Sequence, residues 1–518
     1  MNRAKIRSLL LSLALVSLNY SCFKSEERNI KQTNFSAKET AELDSFIVGL
    51  HKALPIPGLA VCIIKDDKVY YKTIGYREIE TKEPLTDTTS IFMGSISEAA
   101  LATALIRHSD TGKIKLEDPV VKHLPYFKLA GDSYRNITVR HLLTHTSGVP
   151  KHQALFDLPD FSANALENTT RSISLQQPEF SPGTAIKRTP YNFDILADLI
   201  SKSTKTSCQE FVRQNLFLAL GMRNATFWKQ EIVPNSLARP HSIKDPLTYS
   251  LKKNSVYPFN PEHAGSTGFH ASVKDVSKWM WMLLHNRAGE NEFLSKEAYE
   301  QLMSPHFQSS ENTFAGLGWE IIRDHKKINL VKTSEIGGFT GHINLIPEDK
   351  IGVFVMSNIG EEFNAVPISK EIIAWLKGRE LPQRKTPIHI LMGRKYAETN
   401  SVDSALAVYR RLKNTKLKEY DFSPSALNKF GVNLLYKLNK PKEALEVFRF
   451  CLKENPNSSS SYLNLAEAQL LLDDAGGAGK SLQKAKTLPK DEFDIEARIA
   501  FLQESLQVKK ENSKLAFP

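Results

Sequence analysis

The chain has 518 residues, a formal net charge of +11 at neutral pH, 41% apolar residues and 24% charged residues. That is more chain than one ordinary hydrophobic core takes in, and a composition that excludes a disordered or fibrous protein, so two or three domains are expected, one of them large. The basic residues are scattered and form no aromatic-interleaved stripe, which argues against nucleic acid and leaves an anionic envelope polymer or membrane surface as the partner such a charge would suit.

At the start of the chain, Arg3, Lys5 and Arg7 precede an apolar run from Leu9 to Leu18, the pattern of an export signal and too short to span a membrane comfortably. Leu18-Asn19-Tyr20-Ser21-Cys22 resembles a bacterial lipoprotein cleavage site, so residues 1–22 are expected to be an export signal with Cys22 as the lipidated residue and the protein to sit in the bacterial cell envelope. An ordinary secretory signal cut nearby is the alternative. Residues 23–40, with Lys24, Glu26, Glu27, Arg28 and Lys31, lack periodic apolar positions and read as a tether. Cys62, Cys208 and Cys451 are odd in number, far apart and set in apolar or helical contexts, the pattern of free buried thiols rather than of a disulfide framework.

A strand pair follows, Leu59–Ile64 and Val69–Thr73 around the turn Lys65–Lys68. The pattern becomes helical from Ser97 to Ser109. Ile343–Ile346 and Ile351–Met356 read as a second strand pair joined by Pro347–Lys350. Strands at both ends with helices between predict one α+β domain over 41–380 whose sheet is completed by its two chain ends. Pro382 and Pro387 break the pattern, marking a linker over 381–389. Residues 390–510 are almost entirely helical in pattern. Ala444, Phe448 and Cys451 recur thirty-four residues later as Ala478, Leu482 and Ala485, with Ala405, Tyr409 and Leu412 as a less regular copy and Pro456 and Pro489 closing the later units. Thirty-four is the tetratricopeptide period, and such arrays present a concave surface to a peptide or partner protein. A generic helical hairpin with small residues at its crossing is the alternative.

Ile91–Glu98 opens the 97–109 helix, and a serine at such a place is by itself only a cap. Together with Pro57-Gly58-Leu59-Ala60, Gly112–Pro119, Ile137–Gly148, Leu220-Gly221-Met222, Gly316-Leu317-Gly318-Trp319 and Pro347, it resembles the serine β-lactamase and D-alanyl-D-alanine carboxypeptidase (penicillin-binding protein) superfamily, most closely its class C-like branch. The resemblance covers about residues 41–380. It implies a β-lactamase/transpeptidase-like domain, an antiparallel sheet flanked by helices, followed here by the all-α tetratricopeptide-like array.

The family pairs its nucleophilic serine with a lysine one turn later, because a neutral lysine beside the hydroxyl takes its proton. Ser95 matches the serine, and Glu98 stands where the lysine belongs. A carboxylate is a weak base and adds negative charge where an oxyanion must form. The family's second motif, Y-x-N after a Pro-Gly, corresponds to Arg188-Thr189-Pro190 after Pro182-Gly183. Arginine cannot relay protons at neutral pH and proline has no side-chain amide. Tyr191, three residues on, is the one candidate to replace the tyrosine. The third motif, K-T-G, corresponds to Lys332-Thr333-Ser334, with Ser334 in place of glycine; a lysine there suits a carboxylate-bearing ligand bound beside Thr333 and Ser334. If the fold follows the family, Glu98 and Arg188 face each other as an ion pair in the proton-relay position.

No cofactor is expected. His141 and His145 have metal-compatible spacing, but both fall inside the recognised framework segment, which argues against a metal site. Trp279–Met282 reads as core and Lys252-Lys253 as solvated surface charge. The leading expectation is an envelope-anchored serine-hydrolase-fold protein, its catalytic motifs degraded, that binds a ligand such as a peptide or peptidoglycan-like group, or a partner. The alternative is an active esterase, peptidase or β-lactamase-like enzyme using Ser95 with Glu98 or Tyr191 as an unusual base. A third reading makes the helical tail the functional part and the first domain its platform. The expected anchor is directly testable: multiple acyl chains on Cys22 hold the protein in the membrane fraction, and Cys22→Ala releases it or leaves it unprocessed. A soluble wild-type protein beginning at another residue would contradict this.

Overall fold

An uninterrupted apolar run such as Leu59–Ile64 needs cover on both of its faces, and the fold supplies it. The computed structural model describes residues 33–151, 159–286, 293–360, 363–490 and 495–515; the export-signal and Cys22 expectations lie outside the described residues. Nine strands form one antiparallel sheet: β1 (Gly58–Lys65), β2 (Lys68–Glu78), β3 (Glu83–Pro84), β4 (Phe307–Gln308), β5 (Thr313–Ala315), β6 (Glu320–Asp324), β7 (Lys327–Ile336), β8 (Phe339–Ile346) and β9 (Ile351–Ser357). Their order is β3-β2-β1-β9-β8-β7-β6-β5-β4, so the first and last long strands of the domain are neighbours, with Val61 opposite Val355.

Helices α1 (Ala37–Ala53), α2 (Ile96–Ser109), α3 (Tyr191–Thr204), α4 (Val273–His285) and α5 (Ala365–Leu376) are the long helices of this domain. Side chains alternate across a strand. Leu59, Val61 and Ile63 therefore pack with α1 and α5, while Ala60, Cys62 and Ile64 join the larger core containing α2, α3 and α4. Trp279, Met280 and Met282 are buried in that larger core, and Cys62, Cys208 and Cys451 are free and buried.

The expected tether runs four residues too far. α1 starts at Ala37, inside 23–40, because Ser36 and Glu39 form a capping box: Glu39 N–H donates to Ser36 Oγ (3.3 Å) and Ser36 N–H to Glu39 Oε2 (2.7 Å). Phe35 is already buried and stacks on Trp375 with ring centroids 6.2 Å apart. Lys253 also differs from its expected solvated state, forming ion pairs with the buried Glu78 and with Glu80.

Beyond the linker the chain is a helical array: α6 (Ile388–Thr399), α7 (Val402–Thr415), α8 (Pro424–Val432, continued by a π turn over Asn433–Lys437), α9 (Pro441–Glu454), α10 (Ser459–Leu471), α11 (Ala475–Lys486) and α12 (Ile495–Leu515). The residues that recur thirty-four positions apart fall on α9 and α11 and their less regular copy on α7, every second helix, and all are buried.

The array is not detached from the first domain. A hairpin of His241–Asp245 and Ser250–Lys253 leaves the first domain, and its turn enters the array, where Leu247 is 5% exposed in a core shared with Ile388, Met392, Phe430 and Leu434. Asn433 Nδ2 donates to the Pro246 carbonyl (2.8 Å) and Arg394 Nε to the Thr248 carbonyl (3.2 Å). In α6, Gly393 lies so close that a Cβ would stand 2.1 Å from the Leu247 carbonyl oxygen. Trypsin cleavage at the exposed Lys385 is therefore expected to leave two fragments that co-elute on gel filtration. Leu247→Ala weakens their union by about 2–5 kcal/mol, as for other buried leucines, and Leu247→Asp separates them. Wild-type fragments that part on cleavage would show that this turn is no anchor.

Candidate active site

Ser95 directly precedes α2 and follows Gly94, whose φ of +50° lies in the left-handed region that glycine enters without penalty. The first N–H groups of a helix have no partner inside it, which makes the Ser95 N–H a ready donor to a developing oxyanion. Here it is already engaged. It donates to Ser334 Oγ at 3.0 Å, and Ser334 is buried. The side chain that replaces glycine in the third motif thus reaches into the place where a substrate oxygen would accept that hydrogen bond.

Lys332 and Ser334, two apart on β7, share the face turned to α2. Lys332 Nζ forms a short ion pair with Glu98 Oε2, both groups being almost fully buried. The carboxylate takes a second contact from His145 Nε2 at 3.3 Å. His145 Nδ1 lies 3.0 Å from Asn192 Nδ2, and Asn192 Oδ1 accepts from Ser147 Oγ at 2.7 Å. One assignment of protons satisfies the chain. Ser147 donates to Asn192, Asn192 to Nδ1, and the neutral Nε2–H tautomer of His145 to Glu98. Burial keeps the His145 imidazole below its ordinary value, in keeping with the neutral form. Burial alone would raise Glu98, but the Lys332 ammonium and His145 outweigh it and hold the carboxyl down to about 2. Burial pushes Lys332 below the usual lysine range, with Glu98 opposing.

The expected pair of Glu98 with Arg188 does not form. Arg188 NH2 instead reaches Glu320 Oε2 at 3.0 Å on the half-exposed rim, where its long side chain keeps contact with water while the buried carboxylate takes the buried cation. Nor is Lys332 free for a ligand carboxylate, because Glu98 already neutralises it. Thr333 points to the opposite face of β7, where its hydroxyl lies 2.8 Å from Nδ1 of His342 on the neighbouring strand β8, so strand alternation carries it away from Ser334. Tyr191 is buried in the main core as the first residue of α3. His145, Asn192 and Ser147 were not singled out as site residues from sequence; His145 carries a φ of +57°, and its place became legible only once the backbone was folded. Both of its ring nitrogens face protein groups.

Ser95 Oγ has no hydrogen-bond partner among the described residues, and the residue lines an open cavity of about 770 Å³. Gly318, with φ +77°, supports the helix behind it: a Cβ there would stand 2.8 Å from the Glu98 carbonyl oxygen and 2.7 Å from Ala102 Cβ. The arrangement therefore presents a serine at a helix terminus with its amide donor occupied and, among the described residues, no hydrogen-bonded base on its hydroxyl.

This fold and site define a serine β-lactamase-like protein. The beta-lactamase family matches residues 43–371, well over half of the chain, and the chain belongs to that family. It is 27% identical over 310 residues to Protein flp of Staphylococcus aureus (strain MW2), covering 60% of this chain and 61% of that protein, so it spans about three-fifths of that relative's length. It is 24% identical over 336 residues to the Beta-lactamase of Escherichia coli (strain K12), covering 58% of this chain and 84% of that protein. Among solved structures, the octameric penicillin-binding protein homologue from Pyrococcus abyssi superposes with TM-score 0.57 at 25% identity, over 70% of this chain and 82% of that one. A class C beta-lactamase matches in fold with TM-score 0.57 at 18% identity, over 67% of this chain and all of that one.

The buried pair has a measurable pH signature. Since the folded pKa of Glu98, about 2, lies below its ordinary 4.5, the pair contributes stability that is fully present above 4.5 and is lost as pH falls toward 2. Glu98→Gln leaves Lys332 buried without a counter-charge and should cost about 3–5 kcal/mol at pH 7. In denaturant titrations the gap between wild type and variant should narrow across that acid window. A gap independent of pH would mean that Glu98 is not held as an anion.

Proposed function

We propose that this protein is a ligand- or partner-binding member of the beta-lactamase family that has lost normal acyl-enzyme turnover, held at the bacterial cell envelope through Cys22 and carrying a tetratricopeptide-like array. The observation that carries the reading is the buried Glu98–Lys332 pair. The two positions that should supply a base and a ligand cation neutralise each other instead. Ser334 on the Ser95 amide adds a second obstacle, since a substrate carbonyl would have to displace it before an oxyanion gained that donor. His145 gives no relief, because burial disfavours its charged form and both nitrogens are engaged. The anchoring rests on the amino-terminal sequence and the array's kinship on its thirty-four-residue period.

A retained serine in an open cavity favours one competing reading, a working esterase, peptidase or β-lactamase-like enzyme with a non-standard base. Fluorescent penicillin and fluorophosphonate labelling decides between them. Losing general-base help forfeits about 10²–10⁴-fold in rate, so the wild type is expected to label little or not at all. Glu98→Lys alone recovers little, since it sets two lysines against each other and leaves Arg188 and Ser334 in place. Glu98→Lys with Arg188→Tyr recovers more than the single changes predict, and adding Ser334→Gly frees the Ser95 amide and raises labelling further. All recovered signal should vanish with Ser95→Ala. Strong Ser95-dependent labelling of the unmodified protein would establish the competing reading.

A further inference from the structure

The cavity in front of Ser95 is lined by the β-lactamase-like domain and by one residue of the helical array. Its lining includes Glu335 of β7, His241 and Pro246 of the hairpin, and Lys437 of the helical array. Lys437 is held there by its neighbours. Asn433, one turn earlier on the same π turn, donates to the Pro246 carbonyl at 2.8 Å and lies 3.3 Å from the Tyr249 hydroxyl, while Leu247 between them is buried in the array. The hairpin thus lines the cavity along one edge and locks the array at its tip, so Lys437 stands at the cavity whenever the turn is seated.

Lys437 and Glu335 are both exposed, and neither has an ion-pair partner among the described residues. Lys332, the cation expected for this cleft, is closed off by Glu98. Resting on the reading of the cleft as a binding site, we propose that Lys437 is its anion-recognition residue and that the ligand carries a carboxylate at Lys437 and an N–H donor toward Glu335. A single ammonium is a point charge that suits a monoanion, and Glu335, a residue of the same cavity lining, disfavours a dianionic phosphate. The array then acts as part of the ligand site, setting which charge the cleft admits.

The charge preference can be read without knowing the ligand, by alkylating Ser95→Cys in the full chain and following the peptide that carries position 95. Cys62, Cys208 and Cys451 are buried and do not compete. The ratio of the iodoacetate rate to the iodoacetamide rate cancels thiol reactivity and access, leaving the field felt by a carboxylate in the cavity. In this background Lys437→Ala is expected to lower the ratio about threefold and Lys437→Glu about tenfold, as for local steering by one or two charges near a cleft. Glu335→Gln should raise it, and Leu247→Asp, which unseats the array with Lys437 intact, should lower it as Lys437→Ala does. A ratio unchanged by Lys437→Glu, an equal fall with Lys252→Glu on the neighbouring surface, or a position-95 thiol inert to iodoacetamide would each overturn the proposal. Penicillin labelling of the unmodified protein would sink the reading of a cleft without turnover and leave this ratio untouched, so the two failures are distinguishable.

Discussion

A carboxylate and an ammonium buried against each other between α2 and β7 govern what this cleft can do. Each is costly to bury alone, and each is tolerable because the other is there. Once Glu98 occupies the position one turn after Ser95, Lys332 has a partner inside the protein and no need of one in a ligand. The neutral chain of His145, Asn192 and Ser147 reaches the same carboxylate oxygen, Oε2, that Lys332 contacts. A buried polar network of this kind holds its members in one arrangement. The substitution at Ser334 acts in the same direction by satisfying the Ser95 amide.

The hairpin between residues 241 and 253 gives the molecule its second organising feature. Its base is tied to the sheet, with His241 N–H donating to the Asn358 carbonyl at 3.1 Å, and its tip is part of the array's core. One short element therefore serves both as a wall of the Ser95 cavity and as the anchor of the helical tail. A surface that a free array would offer to a partner is here covered in part by the chain itself, and the array in return contributes to the cavity. Arg384 adds a lesser clasp at the linker, pairing with Glu371 and lying 5.1 Å over the Phe46 ring.

Membership of the beta-lactamase family explains the framework and not the chemistry. Gly318 pressed on α2 and the sheet closed by β1 and β9 are features of packing, and they persist here with an altered set of polar groups between them. Glu98, Arg188 and Ser334 are each a change in a side chain on an intact scaffold. The helix register after Pro190 is undisturbed, with Ile195, Leu196, Leu199 and Ile200 all buried.

Local pattern was enough for the strands at both ends of the first domain, for α2, and for the helical tail, because the periods of burial are written in neighbouring residues. The capping box at Ser36 and Glu39 is equally local, and it starts α1 inside the stretch expected as a tether. The replacement of a base by Glu98, of a relay tyrosine by Arg188 and of a glycine by Ser334 was likewise legible in the sequence. Which of these groups meet was not. Glu98 finds Lys332 234 residues away, and Arg188 finds Glu320 132 residues away, so their pairing depends on how β7 and β6 lie over the helices. Leu247 sits in a turn whose partners begin more than a hundred residues later, and only the folded chain brings it to the array and Lys437 to Ser95. Spacing along a helix or strand specifies the face a side chain takes, whereas the charge it meets across that face is a property of another segment, chosen when burial makes an unpaired ion too costly.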